Sequence, residues 1–142
     1  MELWELMARE SIRDLIARYN ANADTGRFDD LMKLFAPDAE MEANGGWHRG
    51  HPEIRAMFAK ATQSFSTEVK NLTHVRHSTT TLQIDLIDQQ HAKSRCYFSV
   101  ILDHGLDHWG RYIDEFKVVN GEWKFAKRRV LIDKLTTPLG RE

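Results

Sequence analysis

The apolar residues of this 142-residue chain change their period once, near residue 68, and that change limits the folds open to it. Before it, Trp4, Ala8, Ile12, Leu15, Ile16, Tyr19 and Ala23 recur at the three-and-four spacing of one helical face. They predict a first helix that stops near Ala23, where Gly26 is placed as a C-terminal stop. Phe28-Asp29-Asp30-Leu31 reads as a fresh start with acids in the first turn, and Leu31, Leu34 and Phe35 form the buried side of a short second helix. Pro37-Asp38 breaks it, Ala39 to Ala43 reads as a strand, and Asn44-Gly45-Gly46 is turn chemistry. A third helix opens after Gly50-His51 with Pro52 in its first turn, and Ile54, Met57, Phe58, Ala61 and Phe65 supply its stripe.

Beyond residue 68 the pattern is alternating and β-branched. Four long strands are predicted, at His74 to Asp88, Ala92 to Leu102, His108 to Val119 and Glu122 to Asp133. Asn120-Gly121 is a two-residue hairpin signal, so the last two pair antiparallel. Helices first and strands after them is an α+β order. Strands of this length twist and curl, which predicts a curved antiparallel sheet, a cone-shaped half barrel, packed on three N-terminal helices. Residues 1–142 read as a single domain.

Charge narrows the partners. Lys plus Arg number 20 and Asp plus Glu 21, for a formal net charge of -1 without a long run of either sign, which argues against nucleic acid or an anionic membrane as partner. Cys96 is the one cysteine and has no internal disulfide partner. The first ten residues mix charged and apolar positions unlike a signal peptide or a membrane span, so a soluble, cytoplasmic protein is the expectation.

Several residues are candidates for chemistry. Tyr19 lies on the buried stripe of the first helix, whereas Asp24, five residues on, falls about 140° around an ideal helix. Both reach one spot only if the helix ends between them and Asp24 turns back to the interior. An acid at a helix C-terminus meets the negative end of the macrodipole and needs an explanation. The alternative is that Asp24 caps the second helix. His77 has its own difficulty, because Leu82, Ile84 and Leu86 share parity with His74 and not with His77. A β-bulge in the Ser78 to Thr81 tract would reset that parity and turn His77 inward; without one it belongs to the solvent face or to the sheet's other covered face.

Asp103-His104-Gly105-Leu106-Asp107-His108 offers two histidines and two acids, either as a metal set or as a hairpin turn rich in Asp, Gly and His. Trp47-His48-Arg49-Gly50-His51 reads as a polar loop leading into the third helix. Arg128 and Arg129 point to opposite faces of the last strand, so one can reach inward, where it marks a structural ion pair or an anion-binding role. Phosphate loops, nucleophile elbows and paired-cysteine motifs are absent from the sequence.

Taken in order, Ile12 to Phe35 with Tyr19 and Asp24, then Gly50-His51-Pro52-Glu53, Thr73-His74-Val75-Arg76-His77, Gly110 to Phe116 and Gly121-Glu122-Trp123-Lys124-Phe125 resemble the SnoaL-like branch of the nuclear transport factor 2-like superfamily. Its dehydrochlorinase, bile-acid dehydratase and scytalone dehydratase members are cofactor-free lyases, so the resemblance implies no cofactor. It also implies that Asp24 orients His77, which removes a proton. Tyr19 matches the tyrosine of the bile-acid dehydratase, where the dehydrochlorinase has a lysine, and Arg128 matches that enzyme's catalytic arginine.

The implied reaction is a cofactor-independent elimination or isomerisation of a small apolar ring compound. His77 is its base, Tyr19 donates to a developing oxyanion or leaving hydroxyl, and Arg128 holds charge on the leaving side. An unperturbed imidazole, with a pKa of about 6.5, suits a base at neutral pH. Phe58, Phe98, Tyr112, Phe116, Trp4 and Trp123 are the candidate pocket lining. A homodimer or homotrimer through the outer face of the sheet, near Trp109 or Ile113, is the family expectation. The rivals are a non-catalytic binding or dioxygenase β-subunit-like scaffold, a metal enzyme built on His104 and His108, and a polyketide cyclase with Asp24 as base.

Overall fold

The computed structural model describes residues 1–69 and 72–136. The chain runs α1 (Leu3–Asp24), α2 (Phe28–Met32), β1 (Phe35–Ala43), β2 (Gly46–Arg49), α3 (Gly50–Glu68), β3 (Arg76–Leu86), β4 (His91–Leu102), β5 (Gly105–Val119) and β6 (Glu122–Leu135). The strands form one open sheet in the order β2-β1-β6-β5-β4-β3, and the three helices pack on it. The α+β order and the curved sheet on three helices are thus present as expected.

Three local readings differ from the structure. Helix α2 ends at Met32, and Leu34 and Phe35 are buried in the turn and strand that follow. Tertiary pairing decides this, since the Phe125 N–H donates to Leu34 O at 2.9 Å and starts the β1–β6 ladder. That ladder is parallel, which makes the sheet mixed and not wholly antiparallel. Trp47 to Arg49 is a strand and not a polar loop, because Asn44 and Gly45 take φ of 52° and 82° and fold β2 back onto β1. Asn120 and Gly121, at 51° and 80°, make the expected hairpin between β5 and β6.

The core lies between α1, α3 and the concave face of the sheet. Helix α1 buries Ile12, Leu15, Ile16 and Tyr19 there, the stripe its periodicity implies. The lone Cys96 is buried in the same core, and burial pushes its thiol up to about 11, so it is inert as a nucleophile. Among the described residues, no helix is long and apolar enough to cross a membrane.

Candidate active site

Two backbone irregularities bring Asp24 and His77 together. Helix α1 closes with Gly26 at φ 72°, the Arg27 N–H bonding Asn22 O at 2.9 Å and the Gly26 N–H reaching Ala23 O at 3.3 Å. Asp24 is the last helical residue, so its side chain leaves the helix surface and turns inward. It does not cap α2, whose cap position is Arg27.

On the sheet, β3 pairs Thr80 with Tyr97 and Gln83 with Arg95, so Thr81 and Leu82 together oppose Cys96. This is a β-bulge within the expected tract, and Thr81 takes φ 55° to make it. The more covered side of β3 switches across it from His77 and Thr79 to Leu82, Ile84 and Leu86. His77 therefore faces the same hollow as the aliphatic set despite its opposite parity.

The result is a two-point clasp. The His77 backbone N–H donates to Asp24 Oδ2 at 2.9 Å, and His77 Nδ1 lies 2.5 Å from Asp24 Oδ1. The carboxylate side chain is 7% exposed and the imidazole 23% exposed. Asp24 is thus spent on holding the ring by Nδ1, and Nε2 is the nitrogen left for a substrate.

Both residues border a cavity of about 230 Å³ between α1, α3 and the sheet. Tyr19, Phe58, Phe65, Phe98 and Tyr112 supply its aromatic wall. Trp4, Phe116 and Trp123 are not on that wall: the Trp4 indole N–H donates to Glu2 Oε2 at 2.6 Å, and Phe116 packs on Phe125 in the core with ring centroids 5.0 Å apart.

Tyr19 is wedged edge-on against Phe35, Phe58, Tyr112 and Phe125 at 5.7–6.1 Å between ring centroids. Burial pushes its phenol up to about 12 against the pull of Arg128, so it is a neutral donor at any physiological pH. Asn20, the next residue, accepts a hydrogen bond from Tyr112 Oη at 3.2 Å and also borders the cavity. It was overlooked in the sequence. Its signal was a polar residue four positions beyond Ile16 on the buried stripe.

Arg128 does not border the cavity; it lies fully buried behind Tyr19. Its Nε and Nη2 donate to the two carboxylate oxygens of Asp114 at 2.7 and 2.8 Å. Its guanidinium carbon sits 3.8 Å from the Tyr112 ring centroid, 4.1 Å from Tyr19 and 4.5 Å from Phe125. Nη1 makes no hydrogen bond among the described residues, and the ring faces meet its charge instead. Burial works against the guanidinium charge, and the Asp114 carboxylate more than offsets it, raising the Arg128 pKa further.

The Asp103–His108 segment is a turn followed by the start of β5. Asp103 accepts from the Thr73 hydroxyl and from the backbone N–H groups of Thr73 and His74 at 2.7 and 3.0 Å, tying the approach to β3 to this turn. Among the described residues, no group of three or more His, Cys, Asp or Glu side chains is arranged to hold a metal ion.

A model of the SnoaL-like domain matches residues 4–129. Solved structures with the same fold include hexachlorocyclohexane dehydrochlorinase LinA-type3 from Novosphingobium barchaimii, at 20% identity and TM-score 0.81 over 98% of this chain and 94% of that one. A scytalone dehydratase candidate from Novosphingobium aromaticivorans matches at 20% identity and TM-score 0.78 over 100% and 99%. Rv3472, a protein of unknown function from Mycobacterium tuberculosis, matches at 26% identity and TM-score 0.77 over 94% of this chain and 76% of that one. No curated protein matches in sequence.

Proposed function

This chain belongs to the SnoaL-like domain family, and on that premise we propose that it is a cofactor-independent lyase or isomerase acting on a small apolar ring compound. The observation that carries the reading is the 2.5 Å contact between Asp24 Oδ1 and His77 Nδ1 at the edge of an aromatic-walled cavity. Asp24 holds the tautomer that leaves Nε2 unprotonated, and it stabilises the imidazolium formed when Nε2 takes a proton from carbon beside a carbonyl. Tyr19 donates to the enolate oxygen that develops, and its place among five aromatic and cationic neighbours holds the donor still. Arg128 is a positioning residue in this scheme, acting through the Tyr19 ring it supports.

The polyketide-cyclase alternative, with Asp24 as base, is less favoured, because both Asp24 oxygens are engaged by His77. Self-association through the outer face of the sheet finds support in exposed Tyr97 and Leu106 beside Trp109, and sedimentation equilibrium at micromolar concentration would measure it.

The test is exchange of ring protons beside the carbonyl of cyclohexanone in deuterated water, followed by mass spectrometry. The protein accelerates the exchange, and His77→Gln lowers the acceleration about a hundredfold or more. Exchange no faster with the protein than without it would remove His77 as a base.

A further inference from the structure

The cavity has a second histidine on its floor, and the sheet register fixes where it stands relative to the first. His77 on β3 pairs with Val100 on β4, and Val100 pairs with His108 on β5. The three residues therefore share one cross-strand row and one face, with the two histidine backbones two strand spacings apart, about 10 Å. Val100 is fully buried between them, and Phe98, one step along β4 on the same face, lies 6.4 Å from the His77 ring and 6.1 Å from the His108 ring between centroids. A six-membered ring lying over Val100 and Phe98 would touch both imidazoles.

His108 also stands against a buried acid. Leu106 pairs with Ile101 and His108 with Val100, so Asp107 is an extra residue bulged out of the β5 ladder. Adjacent strand residues ordinarily point apart, and the bulge turns Asp107 inward beside His108. Asp107 Oδ2 lies 2.7 Å from His108 Nδ1, and the carboxylate is completely buried. Thr136 pins the bulge, its N–H and hydroxyl both donating to Asp107 O at 2.9 Å. Phe65 stacks on the His108 ring at 6.0 Å, holding it against the cavity. The other oxygen of the same carboxylate meets a second imidazole, His104 Nε2 lying 3.1 Å from Asp107 Oδ1.

From this row of residues we propose that His108, supported by Asp107, is the general acid of the same reaction, and that the leaving group is a hydroxyl. The inference rests on the reading of His77 as the base. His77 Nε2 takes the proton from carbon, and the C–H electron pair becomes the new C=C bond. The C–O bond breaks, and the His108 imidazolium proton goes to the departing oxygen, which leaves as water. Solvent then returns the proton from His77 to His108. A leaving hydroxide needs that proton, whereas a leaving chloride does not. Tyr19, with its phenol at about 12, is a much weaker acid than an imidazolium and is better suited to hydrogen-bond the carbonyl oxygen.

The experiment compares loss of water from β-hydroxycyclohexanone with loss of HCl from β-chlorocyclohexanone. His108→Gln is expected to lower the ratio of the two kcat/KM values, water loss over chloride loss, about a hundredfold. Asp107→Asn is expected to move the ratio in the same direction, and residual chloride loss reports that each variant is folded. A ratio unchanged in both variants, or a wild-type protein that releases chloride but not water, overturns the proposal. Cyclohexanone exchange separates the two readings: if it depends on His77 while the ratio ignores His108, only the acid assignment falls. If exchange is absent, the base falls and the acid assignment with it.

Discussion

Asp24 grips His77 twice, by its backbone N–H at 2.9 Å and by its ring at 2.5 Å, across 53 residues of sequence. The clasp ties the end of helix α1 to the start of strand β3, so one carboxylate both joins two walls of the cavity and orients the imidazole between them.

Replacing Asp24 with asparagine keeps the size of the side chain and removes its charge. Carbon-proton exchange with the cyclohexanone probe is expected to fall about a hundredfold or more, as it does for His77→Gln. The fold is expected to remain, with the His77 amide resonance among those that shift most in a nitrogen–proton correlation spectrum. Equal activity of Asp24→Asn and the wild type would mean that the carboxylate has no part in orienting the base.

Thr81 is a non-glycine residue at φ 55° on an exposed position of the β3 bulge. Left-handed backbone costs a residue with a Cβ about 1–2 kcal/mol, which glycine avoids at some entropic expense. Thr81→Gly is therefore expected to stabilise the protein by up to about 1 kcal/mol in urea melts. Deleting Thr81 is expected to do the opposite to the site: the register becomes regular, His77 or the Leu82, Ile84 and Leu86 set must turn to solvent, and proton exchange with the ketone is lost.

Tyr19 gives the protein an alkaline limit. Its phenol ionises at about 12 in the folded state and near 10.0 in the ordinary state, so the folded pKa is the raised one. The neutral phenol's contribution is fully present below pH 10 and is lost as pH rises from 10 toward 12. The gap corresponds to about 2–3 kcal/mol. Tyr19→Phe is expected to flatten the fall in stability over that window, measured by urea unfolding at pH 9, 10 and 11, while Tyr112 and Cys96, also raised by burial, keep part of the slope. An unchanged slope would place the Tyr19 hydroxyl in water.

Gly110 sits where β5 and β6 slip register, and a Cβ added there would stand 2.0 Å from Leu131 O and 2.9 Å from the Ile132 Cα. Both are backbone atoms of the neighbouring strand and cannot swing aside. Gly110→Ala is expected to cost at least about 1–3 kcal/mol in thermal or urea unfolding. Because Ile132 borders the cavity, weaker activity on the ketone probes should accompany the loss.

Periodicity alone was enough for α1, α3 and the four long strands, because each buries one face against a single core and must repeat at the spacing of its own backbone. It was enough for Tyr19 as well, whose position on the α1 stripe leaves it nowhere to point but inward. The Asn120-Gly121 hairpin was equally legible, since a two-residue turn with positive φ is a local requirement, whereas the strand after Asn44-Gly45 was too short and polar to announce itself. What the sequence could not determine was anything that depends on partners distant in the chain. The parallel β1–β6 pairing joins residues as far apart as Phe35 and Phe125 and has no turn to announce it. Arg128 carried the same letters whether it faced the cavity or, as it does, pairs with Asp114 behind Tyr19.

The site itself depends on departures from regular structure. Asp24 turns inward because α1 ends in a glycine cap, His77 because Thr81 bulges, and Asp107 because β5 carries one residue more than β4 opposes. The local chemistry of Gly26 and the parity conflict between His77 and Leu82 told that a cap and a bulge were needed. Only the tertiary structure decided that they form: each is a strained or unpaired stretch of backbone that packing of the helices against the curled sheet makes worth its cost.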